Sequence, residues 1–372
     1  MKNTFGTSVS VTIFGESHGD AIGAVIDGMA PGIDVDLEFV ISQLDKRKPK
    51  GAISTSRKEA DEFRIVSGVF GGKTTGTPIC IMIPNTNTKS GDYEKTKDLA
   101  RPGHADYTAM CKYHGYQDYR GGGHFSGRIT AALVAAGAVA IDALKTKGIT
   151  IGTHIKKCGG VSDRAFEKIN EDIEYINNTE FAVLEKTCED LMKKVITSAS
   201  EDGDSVGGIL ETAVCGLPAG VGEPWFDTFE GVLSHALFSI PAIKGVQFGA
   251  GFDFADMRGS EANDAFRVSG DTVLTDTNNN GGVNGGITNG MPVIFSCVVK
   301  PTPSIYKEQN TVDMAKRENA ALKIQGRHDP AIIHRARVVV DSVAALVICD
   351  MLAQKFGTDY LGPDYTVSGE KI

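Results

Sequence analysis

From Ile129 to Ile141 every residue is apolar or small, and the run is bounded by Arg128 and Asp142. A helix built from it has no polar face to offer to water, so the fold must bury it. The run itself is too short to cross a bilayer, and a buried helix from about Arg128 to Lys147 is the expectation. A second strong helix is predicted from about His334 to Phe356. Similar punctuation precedes the two, GHFSGR at 123–128 and GRHDP at 326–330, a weak hint of internal duplication.

Other elements come in blocks. Val9–Phe14 and Ala21–Ile26 read as strands joined by the turn Gly15-Glu-Ser-His-Gly19. Asp36 is placed to cap a helix carrying Leu37, Val40, Ile41 and Leu44, stopped near Pro49. Strands are predicted at Arg64–Phe70, Thr77–Ile83, Ile149–Ile155, Gly207–Cys215 and Pro292–Lys300, a helix at Phe226–Ile240, and loops at Pro84–Arg101 and Asp271–Gly290. Without strict alternation of strand and helix, the pattern favours an α+β fold with antiparallel sheets, and the length allows one large domain or two ordinary ones.

Glycine accounts for 44 of the 372 residues, above the usual share of about 7 %, which implies many tight turns or backbone close to a ligand. The seven cysteines are scattered and form no CxxC pair. They read as thiols of a reducing, cytoplasmic compartment, with neither a disulfide framework nor a metal site. Met1-Lys-Asn-Thr leads into no apolar signal core, so export is not expected.

Net charge is −9 but uneven. Residues 163–204 hold twelve acids and five bases, and the stretch 163–200 is expected to form peripheral helices. Nucleic-acid and membrane binding gain no support from this balance. Lys46 to Lys58 runs the other way, with Lys46, Arg47, Lys48, Lys50, Arg57 and Lys58 and no acid. Such a cluster suits a small polyanion; a solvated helix end is the bland alternative.

Familiar nucleotide motifs fail. Gly249-Ala-Gly251 has Phe254 where a dinucleotide fingerprint needs its third glycine, and Gly68 stands one residue too close to Gly72-Lys73-Thr74 for a phosphate loop. What remains is a set of histidines, arginines, serines and aspartates in glycine-rich turns: His18, His104, His124 with Ser126 and Arg128, and Arg327-His328-Asp329. Loop imidazoles titrate near neutrality and suit acid–base work, and helix N-termini suit anions. The residues alone therefore point to an enzyme acting on a small anion; hydrogen-bonded turn histidines are the alternative.

At these motifs the chain resembles the chorismate synthase family. The resemblance is carried by Phe14-Gly-Glu-Ser-His-Gly19, Arg101-Pro-Gly-His-Ala-Asp-Tyr107, Asp118-Tyr-Arg-Gly-Gly-Gly123, Gly123-His-Phe-Ser-Gly-Arg128, Gly203-Asp-Ser-Val-Gly-Gly208, Gly220-Val-Gly-Glu-Pro224, Lys300-Pro-Thr-Pro-Ser304 and Gly326-Arg-His-Asp-Pro330, in family order. It implies a single domain over 1–372, a β-α-β sandwich with central helices between antiparallel sheets, assembled as a homotetramer. It also implies 1,4-anti elimination of phosphate from 5-enolpyruvylshikimate 3-phosphate to give chorismate, requiring reduced FMN without net redox change.

The family's roles carry over residue by residue. His104 is expected to donate to the leaving phosphate, and His18 to tune the flavin. Asp329 is expected to assist proton removal, with Ser17 and Ser126 as relay hydroxyls. Arg47, Arg101, Arg120, Arg128 and Arg335 are candidates for the substrate's carboxylates and phosphate, which guanidinium groups bind bidentately. FMN positions fall on His124, Phe125, Ser126, Ala242, Gly285, Lys300, Pro301, Thr302, Pro303, Ser304 and Arg327. NADPH as the flavin's reductant is left open, and the absence of a nicotinamide fingerprint favours an external flavin reductase. His124 and Phe125 stand where many members have Arg and Ser, and Asp341 where Glu is usual. The loop after Arg47 is one residue short, so the family's second arginine there has only Lys50 or Arg57 as stand-ins.

Overall fold

Two antiparallel five-stranded sheets enclose a layer of helices in the computed structural model, which describes residues 2–51, 53–54, 60–86, 94, 96–324 and 328–363. The first sheet contains Thr4–Phe5 (β1), Ser10–Gly15 (β2), Ala21–Asp27 (β3), Arg64–Ser67 (β4) and Ile79–Pro84 (β5), ordered β1-β2-β3-β5-β4. The second contains Thr150–Cys158 (β6), Val161–Ser162 (β7), Gly208–Cys215 (β8), Ile243–Phe248 (β9) and Val293–Val299 (β10), ordered β9-β10-β8-β6-β7. The longer helices are Leu37–Arg47 (α1), Asp106–Tyr113 (α2), Thr130–Thr146 (α3), Ile169–Asn177 (α4), Lys186–Glu201 (α5), Phe229–Leu237 (α6) and Ile333–Phe356 (α7).

Strand alternation sets which face is buried. Ile79, Ile81 and Ile83 of β5 and Val293, Phe295, Cys297 and Val299 of β10 point into the core, with less buried residues between them. Helix α3 packs against the first sheet, α7 against the second, and the two helices against each other. Their composition explains this place: 13 of the 17 residues of α3 and 20 of the 24 of α7 are buried. Gly137 allows the approach, because a Cβ there would lie 2.2 Å from Ser342 Cβ. The folded helix is longer than the apolar run in the sequence. Gly127–Thr146 spans 20 residues at mean hydropathy 1.6, apolar enough to cross a membrane by length and composition. The expectation of a run too short to span is corrected to that extent; here the two sheets and α7 supply the apolar surroundings, and 78 % of the segment is buried.

Polar links fix the layers. Asp36 caps α1 by accepting from Phe39 N–H at 3.0 Å, as its position in the sequence predicts. Asp350 of α7 accepts the backbone N–H groups of Thr7, Ser8 and Val9 and ties the N-terminal segment to the core. Asp341 accepts from Thr153 Oγ1 at 2.6 Å, and burial pushes its carboxyl up.

The acidic stretch 163–200 folds outside the two sheets but is not merely solvated. Gly152 of β6 gives α4 room for Ile173 and Ile176, while the next residue, Thr153, reaches α7, so β6 is covered on both faces. His154 is wholly buried between Asp163 and Glu211, 3.0 Å from each. The expected loop 271–290 also differs: it contributes Thr272–Thr275, paired with Phe266–Ser269, and the short pair Val283–Asn284 and Ile287–Thr288. Val268 and Val273 are exposed in that hairpin, so no core periodicity marked it in the sequence.

Two outcomes are expected. Gly137→Val should push the central helices apart and destabilise by about 1–3 kcal/mol or more, read as a lower urea midpoint. An unchanged midpoint would mean that the contact with Ser342 is not close. His334 is stacked on Phe181 and bonded to Ser54 Oγ at 2.7 Å. Burial, aided by Arg335 and Arg337, pushes it from the ordinary 6.5 down to about 3. Between those values the unfolded chain binds a proton that the folded chain refuses, so this contribution is present above about 6.5 and lost as pH falls. His334→Gln should therefore flatten the fall in stability between pH 6.5 and 4, and an unaltered slope would refute it.

Candidate active site

The N-terminal ends of α3 and α7 open onto one cavity of about 870 Å³. Apolar side chains of the sandwich form part of its wall, among them Val11, Ile13, Leu133, Val339, Val343 and Leu346. Its polar rim brings together Arg47, Arg128, Arg335, His104, His124, Ser126 and Asp329, with Phe125, Ala242, Lys300, Thr302, Pro303 and Ser304. Segments far apart in the chain thus converge, as the contact between Arg335 and Arg47, 288 residues apart, illustrates.

The arginines are held by carboxylates and backbone oxygens. Arg47 Nη2 donates to Asp61 Oδ2 at 2.8 Å, and Arg128 Nη1 donates to Asp61 Oδ1. Asp61 is buried, which works to raise its carboxyl, but the flanking Arg47 and Arg128 guanidiniums prevail and hold it below the usual carboxylate range. Arg335 Nε donates to Arg47 O at 2.7 Å and its Nη1 to Asp329 Oδ2 at 2.5 Å. A continuous network of three guanidiniums and two carboxylates therefore runs along one side of the cavity. Asn85 joins it to the first turn: its Oδ1 accepts from Arg128 Nε at 3.1 Å, and its Nδ2 donates to Glu16 O and Gly19 O.

Across the site, glycines set the geometry. Gly121, Gly122 and Gly123 all have positive φ, between 52° and 85°. A Cβ on Gly121 would lie 2.2 Å from His18 Cε1, and one on Gly122 would lie 3.1 Å from His104 Cε1. Successive glycines of one turn thus make room for two different imidazoles. His18 is buried, with Ser17 Oγ 3.2 Å from its Nδ1, and neither residue reaches the cavity wall. His104 does reach it, and its Nδ1 lies 3.0 Å from Arg101 Nη2 and 3.2 Å from Asp106 Oδ1.

Other expected residues stand elsewhere. Arg101 is committed to Asp106 by two side-chain bonds of 2.7 and 2.6 Å, and Arg120 to Asp118 by two of 2.8 Å; neither lines the cavity. Burial works to raise Asp106, but the bonds from Arg101 and His104 hold it far below the carboxylate range. Gly285 and Pro301 also lie off the wall, and Arg327, Arg57 and Lys58 fall outside the described residues. Lys300 Nζ donates to Gly103 O at 2.5 Å, tying the segment 300–304 to the loop that carries His104. His124 Nδ1 lies 2.7 Å from Gly15 O, and Phe125 packs edge-on to Tyr113.

Sequence reasoning missed Asp61, Asn85 and the orienting role of Asp106, as well as His235, Lys2 and Lys244 on the cavity wall. Asp106 was visible inside the motif from Arg101 to Tyr107. Asp61 and Asn85 had no local signal, because their partners are distant in the chain.

Comparison with known proteins agrees with this architecture. The family model for chorismate synthase matches residues 9–353. The chorismate synthase of Thermococcus kodakarensis is 44 % identical over 350 residues, 94 % of this chain and 97 % of the relative. That of Pyrococcus abyssi is 47 % identical over 347 residues, 93 % of this chain and 96 % of the relative. A solved crystal structure of chorismate synthase superposes with a TM-score of 0.75 at 29 % identity, covering 95 % of this chain and 94 % of the other. With sandwich, signature loops and near-complete coverage in agreement, the chain belongs to the chorismate synthase family.

Proposed function

We propose that this cavity is where the chain performs the family's reaction, elimination of phosphate from 5-enolpyruvylshikimate 3-phosphate to give chorismate. One observation carries the reading: Arg47, Arg128 and Arg335 converge with His104 and Asp329 on a single cavity. A substrate with two carboxylates and a phosphate needs several guanidiniums facing one space, and a carbon–oxygen bond breaking to phosphate needs a donor at the leaving oxygen. The two central helices add their N-terminal ends, which also favour anions.

Reduced FMN, when bound, would supply an electron-rich ring that stabilises an electron-poor transition state. The residues present fit such a group: an apolar wall from Leu133, Val339 and Val343 for a ring system, and Lys300, Ser126 and Ser304 as donors for phosphate and ribityl oxygens. His124, Phe125, Ala242, Thr302 and Pro303 would complete that side of the site. His104 would donate to the departing phosphate, oriented by Asp106. Asp329, held by Arg335, would accept the proton taken from the substrate, with Ser126 nearby. His18, oriented by Ser17, would act from behind the glycine turn. Arg101 would orient His104 through Asp106 rather than meet substrate.

An external flavin reductase fits a chain in which no nicotinamide fingerprint is found. A homotetramer would cover apolar side chains now exposed, among them Trp225, Phe226, Phe252 and Val268. Seven unpaired cysteines fit a cytoplasmic setting.

Anaerobic incubation with 5-enolpyruvylshikimate 3-phosphate should release chorismate and phosphate with chemically reduced FMN, and neither without it. No product under either condition would sink the reading. His104→Ala should lower kcat by about a hundredfold or more while flavin affinity holds; near-wild-type turnover would remove His104 from the mechanism. Gly122→Ala should also lower turnover, by crowding His104 and straining a φ of 85°. Full activity in that variant would show that the turn does not set the imidazole.

A further inference from the structure

Asp61 is the buried carboxylate on which two cavity arginines converge. Its side chain is wholly inaccessible, those of Arg47 and Arg128 are only 4 % and 6 % exposed, and each carboxylate oxygen serves a different guanidinium. Both arginines line the cavity, and Asp61 does not. The carboxylate therefore stands behind the arginines, on the side away from the space a ligand would enter. Its backbone has φ of 52°, uncommon for a residue with a side chain, and the surrounding contacts hold it there.

Two effects of opposite sign follow from such a carboxylate. It cancels part of the positive charge, which weakens attraction for an anion. It also stops two buried guanidiniums from repelling each other and fixes the planes in which they present their N–H groups. Bidentate recognition depends on those planes, and an unpaired buried charge turns away or draws in water. Because both guanidiniums are almost wholly buried, leaving one unpaired costs more than the charge Asp61 cancels, and the orienting effect dominates.

We infer that Asp61 is a positioning residue for substrate, holding Arg47 and Arg128 from behind so that both present donors to one oxyanion-bearing ligand. The inference rests on the cavity being the site of 5-enolpyruvylshikimate 3-phosphate. Asp61 itself touches neither substrate nor flavin.

Steady-state kinetics with reduced FMN, calorimetric binding of 5-enolpyruvylshikimate 3-phosphate and binding of oxidised FMN test it on the full chain. Asp61→Asn should raise KM and the substrate Kd at least tenfold, change kcat less than threefold and leave flavin affinity unaltered. A merely structural role would weaken flavin binding as well. Asp61→Glu, which keeps the charge needed for folding but advances the carboxylate by one methylene, should still raise KM at least threefold. The double variant Arg47→Ala/Asp61→Asn should bind substrate less than tenfold worse than Arg47→Ala alone, because only Arg128 is then left for Asp61 to hold. Unchanged or lower KM in Asp61→Glu, or in a folded Asp61→Asn, overturns the inference; a lower value would make Asp61 a competitor of the substrate for the arginines. Failure of the wild-type chain to bind the substrate would instead overturn the reading of the cavity, and this inference with it.

Discussion

The two central helices meet where Gly137 gives way to Ser342, and the architecture of the site follows from that contact. A helix buried on all sides can carry a polar group along its length only where a core partner satisfies it, as Thr153 does for Asp341. Its ends are not restricted in that way. Both helices begin at the same cavity, so Arg128, just before α3, and Arg335, in the first turn of α7, arrive there together. The sheets then supply the turns that close the cavity from either side: the turn after β2 lies against the glycines at 121–123, and the segment after β10 is tied to Gly103.

Electrostatics set the second constraint. An anion-binding wall needs positive charge, yet buried positive charge without a partner is costly. Here each guanidinium is partly satisfied from within: Asp61 serves Arg47 and Arg128, Asp329 serves Arg335, and Arg335 also holds the backbone of Arg47. The chain's overall charge of −9 has little bearing, because much of it lies in the acidic stretch outside the sandwich.

What could be read from the sequence follows the range of the interactions. Elements with strong local signals were legible: the cap at Asp36, the strand expected at Thr77–Ile83 and the apolar helices, all within a few residues of their observed bounds. The resemblance to chorismate synthase supplied the family and sandwich, which the comparisons bear out. Pairings were not legible. Nothing near Asp61 indicates that its partners are 14 and 67 residues away. Equally, nothing around Arg101 and Arg120 separated arginines committed to a neighbouring aspartate from arginines that face a cavity. The hairpin at 266–275 was missed because its valines face outward.

The glycine turn at 121–123 shows how one backbone constraint separates two chemically identical groups. Consecutive Cα atoms are about 3.8 Å apart, so imidazoles resting on Gly121 and Gly122 are near neighbours. Their surroundings nonetheless differ. His18 is buried beside a hydroxyl, with Asp118 and Arg120 nearby, whereas His104 faces the cavity with Arg101 and Asp106 at its Nδ1. A bond at Nδ1 governs which tautomer the ring adopts and what its Nε2 can do. Arg101 can only donate there and Asp106 can only accept, so the state of His104 depends on which of the two it engages. Protonation leaves both ring nitrogens as donors, with Nδ1 directed to Asp106. The pair at Nδ1 thus couples the orientation of His104 to its charge.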